Sequence, residues 1–128
     1  MNRSALWAGR IMSGLVILFL LMDGIIKMVP IQPVIDSLKE LGYPANDSFA
    51  RLLGLIVLVG TAFYAWPRTA VLGAILLTGL FGGAIASHLR LGDPLFSHTL
   101  FGVYLGVLMW GGLWFRDPAL RALLPLRR

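Results

Sequence analysis

Hydrophobic residues in this chain fall into long runs, separated by short segments that contain proline, glycine and charged residues. About 20 apolar residues in an α-helix, at roughly 1.5 Å each, cross the hydrocarbon core of a bilayer. Runs of this length predict transmembrane helices at about residues 6–29, 49–66, 70–87 and 97–115. A helix satisfies all its own backbone hydrogen bonds in lipid, which an open strand does not. The sequence therefore predicts an all-α, integral membrane four-helix bundle, with residues 1–128 as a single transmembrane domain.

The segment between the first two runs has a different pattern. Its apolar residues recur at helical spacing: Val34, Ile35, Leu38 and Leu41. Charged and polar residues occupy the opposite side of that helix, so we predict a short amphipathic helix lying on the membrane surface. The turn at Gly42 ends it. Three residues that commonly cap helices precede the second run: Asn46, Asp47 and Ser48.

Composition supports a membrane protein and excludes several kinds of chemistry. The chain is 58% hydrophobic and 13% charged, whereas soluble domains are about half apolar and about a quarter charged. It contains no cysteine, which excludes disulfides, thiolate metal sites and dithiol redox chemistry within the chain. A redox role would therefore need a bound cofactor or a partner. The net charge of +5 fits the basic ends of a membrane protein, and we expect no nucleic acid binding.

The distribution of charge predicts the orientation of the chain in the membrane. With an even number of spans, both termini and the link at residues 66–69 lie on the same side. That side carries seven of the 11 basic residues and one acid: Arg3, Arg10, Arg68, Arg116, Arg121, Arg127 and Arg128, against Asp117. Basic residues favour the cytoplasmic side, so we predict cytoplasmic termini. The tryptophans also fall toward this side, as an interfacial belt would: Trp7, Trp66, Trp110 and Trp114.

Polar residues near the opposite side form the candidate site. We predict that they line a pocket at the outer ends of the spans: Asp23, Lys27, Arg51, Arg90, Asp93 and His98. Its basic members would hold an anion or a quinone carbonyl, and a histidine exchanges protons near neutral pH. The alternative is that these residues form ion pairs at headgroup level that close the bundle.

Asp23 and Lys27 are the charged pair closest to the membrane interior. They are four residues apart on a helix, in the order that favours an ion pair. A charge at the bilayer centre costs about 2.5 to 3.5 kcal/mol on insertion scales, so an intramembrane aspartate is a functional candidate. The alternative is a helix anchor in which Lys27 extends to the interface.

Small residues form stripes on the third and fourth spans, and such stripes permit close helix contact. Their members are Gly79, Gly83 and Ala86 on the third span and Gly102 and Gly106 on the fourth. Since Arg90 lies within about 20° of Gly79 on a helix and His98 continues the Gly102 row, we expect both side chains to point into the bundle. His88 is the seventh candidate site residue, but it shares the face of Leu77 and Phe81, so we expect it to face another neighbour or the headgroups.

Two further polar features have simple explanations. His88, His98 and Asp93 have the ligand types of a site with two histidines and one carboxylate. We expect no metal there, since the two histidines are predicted to face apart. Three polar residues inside the spans are expected to bond to backbone carbonyls: Tyr64, Thr78 and Tyr104.

Several sequence features resemble the DoxX-like family of small bacterial four-helix membrane proteins. They are Asp23-Gly24 with Lys27, Leu41-Gly42-Tyr43-Pro44, residues 67–74, and residues 82–98 with His88, Arg90, Gly92-Asp93-Pro94 and His98. The resemblance implies a multi-pass protein of the bacterial inner membrane. Some relatives are associated with quinone-linked sulfur oxidation or with membrane oxidoreductase complexes.

Our leading hypothesis is a membrane subunit that binds a quinone or another small apolar molecule and supports a partner oxidoreductase. The alternative is a non-catalytic module for lipid binding or assembly, in the bilayer alone or as a homo-oligomer. A transporter ranks third, because four spans are few and no inverted repeat is evident. The chain lacks the common nucleotide-binding and hydrolase motifs, so the sequence does not decide whether it is an enzyme.

Overall fold

The computed structural model describes residues 3–127, which form helices and connecting turns without a strand. The helices are α1 (Arg3–Met28), α2 (Gln32–Leu41), α3 (Asp47–Ala65), α4 (Ala70–Leu91), α5 (Phe101–Arg116) and α6 (Pro118–Leu123). A 3-10 turn at Pro67–Thr69 joins α3 to α4, and a π-helical turn at Leu95–Thr99 precedes α5. Met1, Asn2 and Arg128 of the predicted domain lie outside the described residues.

Four segments of the described chain are long and apolar enough to cross a membrane, which confirms the predicted architecture. They are Arg3–Met28, Asp47–Ala65, Pro67–Leu91 and Leu95–Arg116. The third helix runs to Leu91, past the predicted end at about residue 87. Gly92 ends it with a φ of 68°, a left-handed conformation that glycine adopts without strain. His88 and Arg90 therefore lie on the helix itself.

The spanning helices form an up-and-down bundle in which each helix packs against two others. Helix α1 contacts α3 and α5, and α4 contacts the same two helices. Short connections between antiparallel neighbours produce this arrangement. We call the end formed by residues 3–10, 66–69 and 116–127 the termini end. The end formed by residues 23–49 and 87–100 is the histidine end.

Helix α1 meets both of its neighbours at glycine residues. A Cβ atom placed on Gly9 would lie 2.7 Å from the carbonyl oxygen of Gly112 in α5. One placed on Gly54 of α3 would lie 2.9 Å from the carbonyl oxygen of Gly24. Any larger residue at these positions would push the helices apart.

Helix α4 makes equivalent contacts through other glycines. A Cβ atom on Gly73 would overlap the backbone of Tyr64 in α3, and one on Gly102 of α5 would lie 3.1 Å from the carbonyl oxygen of Phe81. The glycines of the predicted α4 stripe behave differently. Nothing lies within 4 Å of a Cβ atom placed on Gly79 or Gly83.

The prediction that the α4 stripe packs inside the bundle is therefore wrong. The interior face of α4 instead carries Ala74, Leu77 and Phe81, all of which are buried. Large side chains fill the space between helices here, so the small residues remain on the outside. On α5 the stripe is divided, because Gly102 packs against α4 whereas nothing lies within 4 Å of a Cβ atom placed on Gly106.

A buried chain of hydrogen bonds crosses the bundle at the termini end. The Tyr64 hydroxyl of α3 donates to the carbonyl oxygen of Met109 in α5 at 2.6 Å. It accepts in turn from Ser13 of α1 at 2.7 Å, and Arg116 donates to the Ser13 hydroxyl at 3.0 Å. This network ties three spanning helices together.

The other polar residues within the spans also bond to backbone, as predicted. Thr78 donates to the carbonyl oxygen of Ala74 at 2.7 Å, and Tyr104 donates to that of Phe96 at 2.8 Å. Thr78 also accepts a hydrogen bond from the indole nitrogen of Trp110 at 2.8 Å.

Helix α2 has the predicted amphipathic form. Its buried residues are Val34 and Leu38, which belong to one apolar cluster with Ala50 of α3. Gly42, with a φ of 82°, ends the helix. Of the three predicted capping residues, Asn46 is the N-cap of α3, where its side chain accepts from the backbone N–H of Phe49 at 2.8 Å.

We expect Gly73→Ala to lower the midpoint of thermal unfolding in detergent micelles. The added methyl group meets the Tyr64 backbone, and overpacking of this kind costs about 1 to 3 kcal/mol. Gly82→Ala on the same helix is the matched control, since its methyl group meets nothing within 4 Å. Equal midpoints for the two variants would show that α3 and α4 do not depend on this contact.

We expect Tyr64→Phe to destabilise the bundle by about 1 kcal/mol, because the Ser13 hydroxyl and the Met109 carbonyl lose a partner in a buried site. Tyr104→Phe is the control, because the Tyr104 hydroxyl lies on the exposed surface. Denaturant unfolding of both variants measures the difference. A loss no larger for Tyr64→Phe than for Tyr104→Phe contradicts a stabilising role of the network.

Candidate functional site

A cavity of about 140 Å³ lies between the spanning helices at the histidine end. Its lining comes from α1, α3, α4, α5 and the π-helical turn. The residues of this histidine cavity are Phe19, Leu20, Asp23, Val57, Leu80, Phe81, Ala84, His88, His98, Phe101, Gly102 and Leu105. Three polar side chains, those of Asp23, His88 and His98, therefore line a space that is otherwise walled by hydrocarbon.

Asp23 reaches this cavity from the penultimate turn of α1, and Lys27 lies beside it. The Lys27 ammonium is 2.7 Å from the Asp23 carboxylate, which confirms the predicted pairing. Lys27 does not line the cavity, and its Cβ atom packs close to Gly54 of α3. The lysine thus neutralises the aspartate without lining the cavity itself. Both side chains are about three-quarters buried.

His88 is held by an acid from the loop that follows α4. Its Nδ1 atom lies 2.6 Å from the Asp93 carboxylate. The left-handed turn at Gly92 folds the chain back, so that the Asp93 N–H donates to the His88 carbonyl at 3.1 Å. Since an ionised carboxylate only accepts hydrogen bonds, the Nδ1 atom of His88 carries the hydrogen.

His98 lies on the π-helical turn, which brings it next to His88. Its Nδ1 atom is 2.7 Å from the Ser97 hydroxyl. The two imidazole rings meet edge to face, with centroids 5.7 Å apart. The turn itself forms because the N–H groups of Thr99 and Leu100 reach back five residues along the chain. Such turns are frequent at functional sites in helical proteins.

Both imidazoles use the same nitrogen for their hydrogen bond. Within residues 3–127, the Nε2 atoms of His88 and His98 have no hydrogen-bond partner. Both rings line the histidine cavity. Each ring therefore retains one nitrogen atom that can bind a ligand.

The structure corrects two predictions about orientation. His88 was expected to face away from His98, but both rings line the same cavity. Arg90 was expected to point into the bundle, but its guanidinium donates to the carbonyl of Leu41 at the end of α2. The prediction that His88 shares the helix face of Phe81 is right, since both line the cavity. The interior face was wrongly assigned, because the glycine stripe was taken to mark it.

Arg51 also lies outside the cavity. Its Nε atom donates to the carbonyl oxygen of Met28 at 3.3 Å, at the end of α1. Arg90 makes the equivalent bond at the end of α2. Cations stabilise exposed carbonyl groups at helix C-termini, so both arginines hold helix ends at the membrane interface.

The cavity thus brings together three of the seven predicted site residues: Asp23, His88 and His98. Lys27 pairs with Asp23, and Asp93 pairs with His88, but neither Lys27 nor Asp93 lines the cavity. The two arginines lie outside it. No group of three or more His, Asp or Glu side chains in the described chain is arranged to hold a metal ion.

Sequence reasoning missed the aromatic walls of the cavity. Phe19 of α1 and Phe101 of α5 contact each other edge to face, with ring centroids 5.2 Å apart. Phe81 of α4 completes the set. Only Phe81 had a sequence signal, since it shares a helical face with His88.

A second hollow lies on the outside of the bundle, beneath α2. This glycine groove has a volume of about 290 Å³ and an almost wholly apolar lining. It is lined by Leu38, Leu41, Tyr43, Phe49, Leu53, Gly79, Leu80, Gly83, Ala84 and Ser87. The Tyr43 hydroxyl donates to Ser87 at 2.6 Å, since the Ser87 hydroxyl donates to the Gly83 carbonyl at 2.9 Å.

Comparison with known proteins supports the architecture. The sequence model of the DoxX-like family matches residues 11–112, which include every residue that lines the histidine cavity. Neither the curated proteins nor the solved structures contain a match to the chain. Since the matched range covers most of the 128 residues and parts of all the spanning helices, this multi-pass membrane protein belongs to the DoxX-like family.

Proposed function

We propose that this protein binds a compact, largely apolar molecule with a hydrogen-bonding oxygen, of the quinone class, and supports a partner oxidoreductase in the membrane. The observation that carries the proposal is the pair of imidazole rings that line an apolar cavity, each with one nitrogen that has no hydrogen-bond partner within residues 3–127. Sites for small organic ligands commonly combine apolar walls with a few converging polar groups.

The chemistry of the cavity suits such a head group. With hydrogen on Nδ1, His88 presents an Nε2 atom that accepts from a hydroxyl group of the reduced, quinol form. His98 donates to a carbonyl oxygen when its hydrogen is on Nε2. The phenylalanine rings contact a flat ligand by face or edge. Because the arginines lie outside the cavity, it favours a neutral ligand over an anion.

The pairing of His88 with Asp93 supports a role in proton exchange. The carboxylate fixes the ring orientation and keeps the hydrogen on Nδ1, so Nε2 is the nitrogen that can take a proton from a bound hydroxyl group. The chain contains no cysteine, so the electrons that leave the quinol as it is oxidised would pass to the partner oxidoreductase, which is the oxidant. His88 is therefore a proton acceptor in this proposal, and Asp93 is its positioning residue.

One observation favours the alternative of an assembly module. Gly79, Gly82 and Gly83 expose bare backbone on α4, a surface against which a second membrane helix can pack. An assembly role does not require saturable quinone binding or any dependence on His88. Ligand titration therefore separates the two functions.

We further propose that the protein lies in the bacterial inner membrane with its termini in the cytoplasm. Basic and aromatic side chains associate at the termini end, where the Arg10 guanidinium lies 5.0 Å from the Trp7 ring and that of Arg121 lies 5.9 Å from the Trp114 ring. Tryptophans mark a membrane interface, and the basic residues beside them favour the cytoplasmic one.

We expect His88→Phe to weaken binding of the chainless dimethoxy-methyl-benzoquinone, in its reduced form, by about tenfold. The variant keeps an aromatic ring but leaves a buried ligand hydroxyl group without its acceptor, and a tenfold loss corresponds to about 1.4 kcal/mol. Calorimetric titration of the purified protein measures the affinity. Leu89→Phe is the matched control, since Leu89 is exposed and does not line the cavity. Equal affinity in all three proteins, or no saturable binding, refutes the proposed site.

The orientation has its own test, which uses the natural absence of cysteine. We expect a membrane-impermeant maleimide, added to intact cells with a permeable outer membrane, to label Ser37→Cys on α2 but not Ala122→Cys on α6. Both residues are exposed. Lysed cells provide the control, in which both variants react. The opposite pattern in intact cells would place the termini outside.

A further inference from the structure

We infer that the glycine groove receives the apolar chain of the same molecule whose polar head occupies the histidine cavity. The ligand would then be amphipathic, with one compact head and one hydrocarbon chain, and it would enter sideways from the bilayer. This inference rests on the proposed function and adds to it a subsite, a ligand class and a route of entry.

The two hollows are neighbours that share part of their lining on α4. Leu80 and Ala84 of α4 line both of them. On α3, Val57 lines the cavity and Leu53, one helical turn away, lines the groove. A molecule that passes between these side chains therefore has its head beside the histidines and its tail beneath α2.

The groove exists because Gly79 and Gly83 of α4 place no side chains on its floor. A Cβ atom on Gly79 or Gly83 would meet nothing within 4 Å. The hydrogen bonds from Tyr43 to Ser87 and from Arg90 to Leu41 hold α2 against α4 at the histidine end. From Ser87 to Gly79 the floor extends about 12 Å along the helix, toward the membrane interior.

The sizes of the two hollows favour a divided ligand. The cavity, at about 140 Å³, is smaller than the roughly 300 Å³ at which pockets for drug-sized ligands begin. It holds a head group, and a longer molecule must continue elsewhere. The groove, at about 290 Å³, is nearly all apolar, so it suits hydrocarbon.

A second copy of the chain fits the groove less well than a hydrocarbon tail. Spread over a length of about 12 Å, the groove volume of about 290 Å³ corresponds to a width of about 5 Å. That is about half the diameter of a helix with its side chains. A helix is therefore too wide to enter the groove as a hydrocarbon chain does, and it would contact the exposed glycines only across the groove's opening.

The experiment compares two probes that have the same head group. One is the chainless dimethoxy-methyl-benzoquinone, and the other is decylubiquinone, which adds a ten-carbon chain. Each is titrated into the full-length protein at one fixed detergent concentration, so that partition into micelles is the same for every variant. Gly83→Leu places a side chain in the groove. Gly82→Leu is the matched control, since it is also unobstructed but does not line the groove.

We expect Gly83→Leu to weaken decylubiquinone binding by about tenfold and to leave the affinity of the chainless probe unchanged. Gly82→Leu should change neither affinity. Gly79→Leu fills the floor of the groove about two helical turns from Ser87 and should behave like Gly83→Leu. Agreement between these two variants shows that the effect does not come from a folding defect in one of them. Unfolding midpoints of all three variants are compared with that of the unmodified protein.

The other outcomes overturn the inference in distinguishable ways. If Gly83→Leu leaves the affinity for decylubiquinone unchanged, or lowers the affinity for both probes equally, the tail does not lie in the groove. The proposed head-group site in the cavity is not contradicted by that result. If neither probe binds the unmodified protein, the proposed function fails as well. If Gly83→Leu only converts a dimer to a monomer, or only removes a co-purified phospholipid, the groove holds a second copy or a lipid instead.

Discussion

The close approach of helices at glycine residues is the constraint on which the rest of the bundle depends. Lipid provides no hydrophobic force between spanning helices, so their association relies on packing and hydrogen bonds. Helix α1 meets its two neighbours at Gly9 and Gly24. The same contacts set the rotation of the helices and thereby place the site. Asp23 precedes Gly24, and His98 lies one turn before Gly102, so both face the cavity.

The charges at the histidine end are arranged so that the cavity itself stays nearly neutral. Lys27 pairs with Asp23 from behind, and Asp93 pairs with His88. Arg51 donates to the last carbonyl of α1, and Arg90 donates to the last carbonyl of α2. The groups that remain for a ligand are imidazole nitrogens in apolar surroundings. This is an environment for a neutral molecule with one or two oxygen atoms, and it explains why the arginines contribute to the fold of this end.

Features that depend on local chemistry were predictable from the sequence. Apolar runs predicted the spans, and the spacing of Val34 and Leu38 predicted the amphipathic helix. The four-residue separation of Asp23 and Lys27 predicted their ion pair. The shared helix face of Phe81 and His88 was also correct. Each of these follows from helical geometry within a few turns, without reference to any other part of the chain.

The sequence by itself determined that the chain is a four-helix membrane protein and which residues share a helix face. Only the tertiary structure decided which face of α4 is interior, because a stripe of small residues permits close helix contact but does not require it. That choice turned His88 inward and Arg90 outward. The cavity and the groove could likewise not be predicted from local sequence patterns, because each is formed where side chains from three or more separate segments meet.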